Sequence, residues 1–215
     1  MTAVRRGRLI VLEGGEACGK STQAKRLADR LGAVLTREPG GTEIGEEIRH
    51  ILLDVASAAL APRTEALLMA AARAQHVAEV IVPALEAGTD VVSDRFVGSS
   101  LAYQGYGRGL PLDDVRSLST FACAGAAADV VVLLVVPPDQ AAARLGNPTD
   151  RLEAAGRVFH ERVRVGFEAL ASTEGDHWLV VDGTGTPDEV AARIWSVVSA
   201  RLALLASERP TGESS

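Results

Sequence analysis

The sequence predicts a three-layer α/β sandwich, in which a five-stranded, mostly parallel sheet is flanked by helices. Five short apolar runs rich in β-branched residues alternate along the chain with longer segments of helical periodicity. The run "ADVVVLLVV" at 128–136 is apolar almost throughout, which is typical of a strand buried on both faces of a parallel sheet. No repeat or linker interrupts the pattern, so we expect one domain over 1–206.

The predicted strands are short and bounded by turn-forming or charged residues. They cover 8–13, 33–38, 90–96, 128–136 and 177–183. Because strands of this kind are parallel, their carboxyl ends meet at one edge of the sheet, where ligands bind in such folds. Three charged segments follow strands at that edge: "EGGEACGKS", "TREPGG" and "SDRF".

The predicted helices have apolar residues on one side at helical spacing. Gly32 suits the end of the first helix, and Pro83 should kink the longest one because proline has no amide hydrogen. The helices cover 19–31, 43–54, 62–88, 113–123, 138–145, 153–172 and 187–206. The polar tail at 207–215 is predicted to be disordered.

Composition narrows the class of protein. The chain has 215 residues, of which 47% are hydrophobic, so it can bury a core. Its net charge of -6 argues against broad nucleic-acid binding, which depends on a basic surface. Its two cysteines give no disulfide framework, and no signal peptide or apolar run of membrane-spanning length is evident. We expect a cytoplasmic protein without nucleic-acid or membrane partners.

The segment "GGEACGKST" fits the phosphate-loop pattern G-x-x-x-x-G-K-[ST], between a predicted strand and a predicted helix. Its glycines let backbone amides turn inward, and the helix N-terminus adds positive potential. Lys20 is expected to reach the terminal phosphates of ATP, and Ser21 to hold Mg²⁺. This loop places the chain among P-loop NTPases and predicts these nucleotide-binding residues: Gly14, Gly15, Glu16, Ala17, Cys18, Gly19, Lys20, Ser21 and Thr22.

A phosphate loop is shared by GTPases, ATP-driven machines and small-molecule kinases, so it leaves the reaction open. A nucleoside monophosphate kinase needs cations from several elements, because it holds two anionic substrates end to end. Arg37, Arg49, Arg73 and Arg95 lie on different predicted elements, although any single arginine is more often a solvated surface residue. Asp94 ends a buried strand beside the loop, and we expect it to order Mg²⁺ and its waters.

The chain resembles bacterial thymidylate kinases over nearly its whole length. The resemblance is carried, in order, by the segments "EGGEACGKST", "TREPGGTEIGEEIR", "AARAQH", "SDRFVGSSLAYQG" and "DRLE". It implies ATP- and Mg²⁺-dependent phosphorylation of dTMP to dTDP and a homodimer. Two alternatives stay open: a kinase for dUMP or a modified pyrimidine monophosphate, and a non-catalytic nucleotide-binding homologue.

The resemblance also implies roles for individual residues. Glu16 corresponds to the acidic residue that binds the deoxyribose 3′-hydroxyl; otherwise it merely caps the loop. Arg49 and Arg95 match the arginines on the acceptor phosphate, Arg37 assists, and Arg73 matches the contact to the thymine carbonyl. The segment that lines the base and sugar corresponds to Ser99, Ser100, Tyr103 and Gln104.

Two positions depart from the family pattern. Met69 stands where the family usually has an aromatic ring that stacks on thymine; methionine can still pack on a base. The predicted lid, around 144–157, is short and poor in basic residues. Because the loop between Gly15 and Gly19 offers no cation, the lid should supply one for the transferring phosphoryl group. Arg151 is the first choice for this catalytic residue, and Arg144 and Arg157 are second choices.

Overall fold

The computed structural model describes residues 5–57, 59–145 and 150–207, with the side chain of Leu145 left aside. Its centre is one sheet of five strands in the order β2-β3-β1-β4-β5. All four strand pairings are parallel, so the predicted sheet is confirmed. The strands are β1 (Leu9–Glu13), β2 (Val34–Arg37), β3 (Val91–Asp94), β4 (Val130–Val135) and β5 (Trp178–Asp182).

Helices cover both faces of the sheet, as the alternating pattern predicts. Short 3₁₀ turns at Val55–Ser57 and Glu153–Ala155 and π-helical segments at Val77–Ile81 and Leu101–Gly107 complete the described structure. The α-helices are α1 (Lys20–Leu31), α2 (Glu43–Leu53), α3 (Pro62–His76), α4 (Val82–Glu86), α5 (Val97–Ser100), α6 (Leu112–Cys123), α7 (Pro138–Leu145), α8 (Arg157–Thr173) and α9 (Pro187–Ser207).

The alternation of side chains along β1 divides the core into two layers. Leu9 and Val11 point to the side that α4, α6 and α8 cover. Ile10 and Leu12 point to the opposite side, which α1 and α9 cover. Because both faces of β1 are buried, the strand needs no polar residue before its last position, which explains the run "LIVL".

Two helical segments differ from the sequence-based expectation. The predicted helix over 62–88 is interrupted, because α3 ends at His76 and a π-helical segment leads into α4. Pro83 cannot donate a backbone hydrogen bond, and a widened turn before it accommodates that loss. Residues 97–107 were assigned to no element, yet they form α5 and a π-helical segment. Their glycines and serines hide the helical pattern.

Several expectations fall partly outside the described residues. The predicted lid contains residues 146–149, and the predicted disordered tail contains 208–215; both ranges lie outside the described structure. Ser207 belongs to α9 and not to the tail. The helix expected from 153 begins as a 3₁₀ turn, and α8 starts at Arg157, after Gly156.

Among the described residues, α9 is long and apolar enough, by length and composition alone, to cross a membrane. This is weak evidence, since the core helix of a soluble protein passes the same test. One side of α9 packs into the core through Val190, Ile194, Val198 and Leu202. The helix is therefore part of the core of this fold.

Candidate functional site

The loop after β1 leads directly into α1. Gly14 and Gly19 have φ angles of 145° and 94°, which favour glycine, and a Cβ on Gly14 would lie 2.6 Å from the Leu134 carbonyl oxygen. The Lys20 ammonium is buried and donates to the Gly15 carbonyl at 2.6 Å. The same ammonium donates to the buried Cys18 thiol at 3.6 Å.

Asp94, at the end of β3, lies beside this loop because β3 is the neighbour of β1 in the sheet. Its Oδ2 accepts a hydrogen bond from the Ser21 hydroxyl at 2.5 Å. Its Oδ1 is buried and has no hydrogen-bond partner among the described residues. A hydroxyl and an unsatisfied carboxylate oxygen fit Mg²⁺, which takes few protein oxygens and completes its shell with water and phosphate. No group of three metal-ligating side chains occurs among the residues described.

Arg95 directs its guanidinium across the carboxyl edge of the sheet. Its φ angle of 73° is costly for a residue with a side chain, and such strain is often found at functional sites. The guanidinium donates to the Gly14 carbonyl at 3.0 Å, the Ser99 hydroxyl at 3.1 Å and the Tyr103 hydroxyl at 3.1 Å. The residue thereby joins the phosphate loop to α5 and the π-helical segment that follows.

Glu16 is the fourth partner of Arg95, at 2.8 Å, and also accepts from the Tyr103 hydroxyl at 2.5 Å. Burial alone would raise the pKa of this carboxyl, but the charges of Arg95 and Lys20 outweigh it and lower the pKa to about 2. Glu16 is therefore ionised at neutral pH and held at the inner end of the loop. It does more than cap the loop toward solvent.

Beside Glu16 lies a cavity that we call the inner pocket. Nine of the ten residues predicted to bind a substrate line it; Arg37 is the exception. The pocket is also lined by Phe96, and by five residues that the sequence did not assign to it: Glu38, Pro39, Leu53, Asp150 and Leu152. Its predicted lining residues are Glu16, Arg49, Met69, Arg73, Arg95, Ser99, Ser100, Tyr103 and Gln104.

Arg73 lines the inner pocket and is only 3% exposed. Its guanidinium donates to Glu38 at 2.8 Å, to the Phe96 carbonyl at 3.0 Å and to the Ser100 hydroxyl at 3.0 Å. Glu38 also contacts the buried His76 at 2.9 Å, so it holds two α3 side chains in place. The orientation of Arg73 is thus set by the protein before any ligand binds.

A second cavity, which we call the cleft, opens on the other side of Glu16. It is lined by the loop residues Gly19, Lys20, Ser21 and Thr22 and by Asp94. Arg37 lies on the cleft, paired with Glu46 at 3.0 Å. The same five residues line both cavities, so the cleft and the inner pocket meet at Glu16, Glu38, Arg49, Arg95 and Asp150.

The three candidate lid arginines lie in different surroundings. Arg144 lines the cleft and is exposed. Arg151, the first choice from the sequence, is buried; it donates to the Leu52 carbonyl at 2.9 Å and pairs with Glu65 at 2.7 Å. Neither Arg151 nor the exposed Arg157 lines the cleft or the inner pocket. The structure does not bring Arg151 to the cleft, because its guanidinium pairs with the buried Glu65.

A sequence model of the family described as "Thymidylate kinase" matches residues 12–194. The chain belongs to the thymidylate kinase family. A thymidylate kinase of Synechococcus sp. (strain JA-3-3Ab) is 49% identical over 208 residues, covering 94% of this chain and 99% of its own. A thymidylate kinase of Deinococcus radiodurans is 48% identical over 203 residues, covering 91% and 98%.

A solved structure shows the same likeness. The crystal structure of thymidylate kinase from Ehrlichia chaffeensis superposes with a TM-score of 0.74 at 27% identity. The match covers 90% of this chain and 99% of the other. The fold described above is therefore that of a thymidylate kinase, and the predicted family and fold class are confirmed.

Sequence reasoning missed Glu13, a buried residue that supports the site in this thymidylate kinase fold. It ends β1 and accepts from the Phe96 amide at 3.0 Å, the Ser99 amide at 3.0 Å and the Ser99 hydroxyl at 2.6 Å. Burial raises the pKa of Glu13 to about 7, against the opposing effects of Ser99 and Arg95. A signal was present in the sequence: a carboxylate directly after four apolar residues of a buried strand needs partners.

Proposed function

We propose that this protein transfers the γ-phosphoryl group of ATP to dTMP, giving ADP and dTDP. One observation carries the proposal: the cleft of the phosphate loop and the inner pocket meet at a junction that contains Arg49 and Arg95. Two nucleotides placed in these cavities have their phosphates at this junction, where the two arginines supply positive charge. The relatives reported above are named for thymidylate, and none of them favours a dUMP kinase or a non-catalytic homologue.

The donor nucleotide occupies the loop Gly14–Thr22. Its phosphates accept from the inward-facing amides and from the α1 N-terminus, where Lys20 neutralises the terminal phosphates. Lys20 leaves the Gly15 carbonyl when it does so. Ser21 and Asp94 would hold Mg²⁺, which would supply positive charge to the phosphates.

The acceptor nucleotide occupies the inner pocket. Arg49 and Arg95 bind its phosphate, with assistance from Arg37 at the cleft. Glu16 accepts a hydrogen bond from the deoxyribose 3′-hydroxyl, and Tyr103 packs near the 2′ position. The base contacts the remaining residues of the pocket: Met69, Arg73, Ser99, Ser100 and Gln104.

The chemical step is a direct displacement that needs no general base. An oxygen of the ionised dTMP phosphate forms a bond to the γ-phosphorus while the bond to the ADP oxygen breaks, and ADP leaves with the electron pair. Charge on the transferring group is stabilised by Lys20, Arg95 and a lid cation. We assign that cation to Arg144, which lines the cleft, in place of Arg151. Asp94 would contribute by holding Mg²⁺ together with Ser21.

We further propose a cytoplasmic homodimer. Both cysteines are free, which suits a reducing compartment. Phe121 on α6 is 87% exposed and Leu67 on α3 is 56% exposed, and both line one shallow apolar groove. An exposed apolar patch of this kind marks an interface. In analytical ultracentrifugation, the unaltered chain should sediment as a dimer and Phe121→Glu as a monomer. If both sediment as dimers, the groove at Phe121 and Leu67 is not the dimer interface.

A coupled assay of ADP release tests the proposed function. Purified protein with ATP and Mg²⁺ is given dTMP, dUMP, dCMP or dGMP in parallel. We expect dTMP to have the highest kcat/KM. A clear preference for another monophosphate would overturn the substrate, and absence of ADP release with every monophosphate would overturn the activity. Lys20→Ala provides the control for contaminating kinases.

A further inference from the structure

Glu65 on α3 is a fully buried carboxylate on which three side chains converge. Gln104 Nε2 lies 2.9 Å from its Oε1, Arg108 Nε lies 3.2 Å from both oxygens, and Arg151 Nη2 lies 2.7 Å from Oε2. Burial alone would raise the pKa of Glu65, but hydrogen bonds from Arg108 and Gln104 lower it below its ordinary value. The carboxylate is therefore ionised, and an ionised carboxylate can only accept hydrogen bonds.

This acceptor determines which way the Gln104 amide faces. A glutamine amide has a donor end and an acceptor end that are nearly identical in shape. Because Glu65 accepts only, Nε2 must be the end that faces it, and Oε1 is the end that remains. Gln104 is 1% exposed and lines the inner pocket, and its buried Oε1 has no hydrogen-bond partner among the described residues. Such an atom indicates a ligand that donates to it.

Arg73, which lines the same pocket, contributes the complementary group. Four of its five N–H groups donate to Glu38, Ser119, Phe96 and Ser100, which leaves one on Nη1 within the described contacts. Arg73 and Gln104 thus contribute to the pocket lining one N–H donor and one carbonyl acceptor that have no hydrogen-bond partner among the described residues. A base with a carbonyl beside a ring N–H, such as thymine or uracil, satisfies both. Cytosine has an amino group beside an unprotonated nitrogen and mismatches both.

We propose that Glu65 is a positioning residue for base selection, whose carboxylate holds the Gln104 amide with Oε1 toward the base as an acceptor. The inference rests on the proposed binding of a pyrimidine monophosphate in the inner pocket. Glu65 does not itself line that pocket. It acts through Gln104, and its effect falls on the choice between bases.

The test compares dTMP with 5-methyl-dCMP, since the two differ only on the edge that Gln104 and Arg73 face. Glu65→Gln keeps the shape but can present either a donor or an acceptor, so the Gln104 amide can turn. We expect the ratio of kcat/KM for dTMP over 5-methyl-dCMP to fall about tenfold, the size of one hydrogen bond. The kcat for dTMP should change less than about threefold.

Arg108→Lys is the matched control, because it keeps a positive charge near Glu65 and leaves Gln104 in place; its ratio should equal that of the unaltered chain. Gln104→Met removes the amide, and adding Glu65→Gln to it should lower the ratio no further. If Glu65→Gln does not fold, Glu65→Asp withdraws the carboxylate from Gln104 and should lower the ratio in the same way.

Two outcomes would overturn the role of Glu65. One is a folded Glu65 variant whose ratio stays within about twofold of the unaltered chain; the other is an equal effect of Glu65→Gln with and without Gln104. Calorimetric titration with the two nucleotides gives the same ratio as binding constants and does not require turnover. An unaltered chain that makes no dTDP would count against the proposed function. The ratio of the binding constants for dTMP and 5-methyl-dCMP would still test the role of Glu65.

Discussion

The Arg95 guanidinium lies 2.8 Å from the Glu16 carboxylate, where the cleft meets the inner pocket. This pair explains how a loop that binds anions contains an acidic residue. Glu16 sits at the inner end of the loop, and the positive charges of Arg95 and Lys20 compensate its charge. Under the proposed function, a phosphate engages Arg95, and the Glu16 carboxylate then accepts a hydrogen bond from the sugar hydroxyl.

Glu16→Gln tests this arrangement. An amide of the same size keeps the shape but loses the charge that holds Arg95 and the strong acceptor for a hydroxyl. We expect the KM for dTMP to rise roughly tenfold, as for a hydrogen bond to a charged group, while the KM for ATP changes little. Steady-state kinetics with each substrate varied in turn measures both constants. An unchanged KM for dTMP would place Glu16 outside the acceptor site.

Lys20→Ala should act on kcat. Lys20 is buried in the loop, and under the proposed function its ammonium is the charge that the loop itself brings to the transferring group. Removal of one such stabilising group lowers kcat by roughly 10²–10³. The measurement is ADP release at saturating ATP and dTMP, with circular dichroism as the control for folding. Retention of more than a tenth of the activity would contradict the assigned role.

Glu13 gives the protein a pH-dependent stability that a variant can isolate. Its pKa rises from 4.5 to about 7 on folding because the carboxyl is buried. A carboxyl whose pKa is raised on folding stabilises the folded state at a pH below its pKa in the unfolded chain. This contribution is lost as pH rises from about 4.5 to 7. Glu13→Gln does not titrate. We therefore expect its free energy of unfolding, relative to that of the unaltered chain, to be about 2 to 3 kcal/mol higher at pH 8 than at pH 5.

Urea unfolding of both chains at these two pH values measures the difference. The comparison cancels every other titrating group, provided that the two chains fold alike. A difference that stays constant between pH 5 and pH 8 would show that Glu13 titrates near its ordinary pKa in the folded protein.

The sheet and the phosphate loop could be predicted because their signals are local, whereas most of the inner pocket was predicted through the resemblance to thymidylate kinases. The strand "ADVVVLLVV" shows its burial in its own composition, and the loop at Gly14–Thr22 shows its function in its own spacing. Once the strands are known to be parallel, their carboxyl ends bring Glu16, Arg37 and Asp94 to one edge of the sheet. Those predictions needed the order of elements and no detail of packing.

The carboxylates that hold the site could not be predicted in the same way. Glu38 and Glu65 act through partners far away in the chain, such as Arg73 and Gln104. Nothing in the sequence distinguishes a glutamate that pairs across the core from one that is solvated on a helix face. Arg151 was misplaced for the same reason, since its surroundings depend on Glu65, which lies on α3.

The separate surroundings of Arg144 and Arg151 predict different effects of removing each one. Arg144 lines the cleft and is exposed, so Arg144→Ala should lower kcat by roughly 10²-fold or more without changing stability. Arg151→Ala leaves the buried Glu65 without one partner, so it should lower the free energy of unfolding by about 3 kcal/mol or more. Its kcat at a temperature where the variant is folded should fall less than that of Arg144→Ala. Steady-state kinetics and urea unfolding of both variants measure these effects. The opposite pattern, in which Arg151→Ala is stable but inactive, would return the catalytic role to Arg151 and require the lid to rearrange on closing.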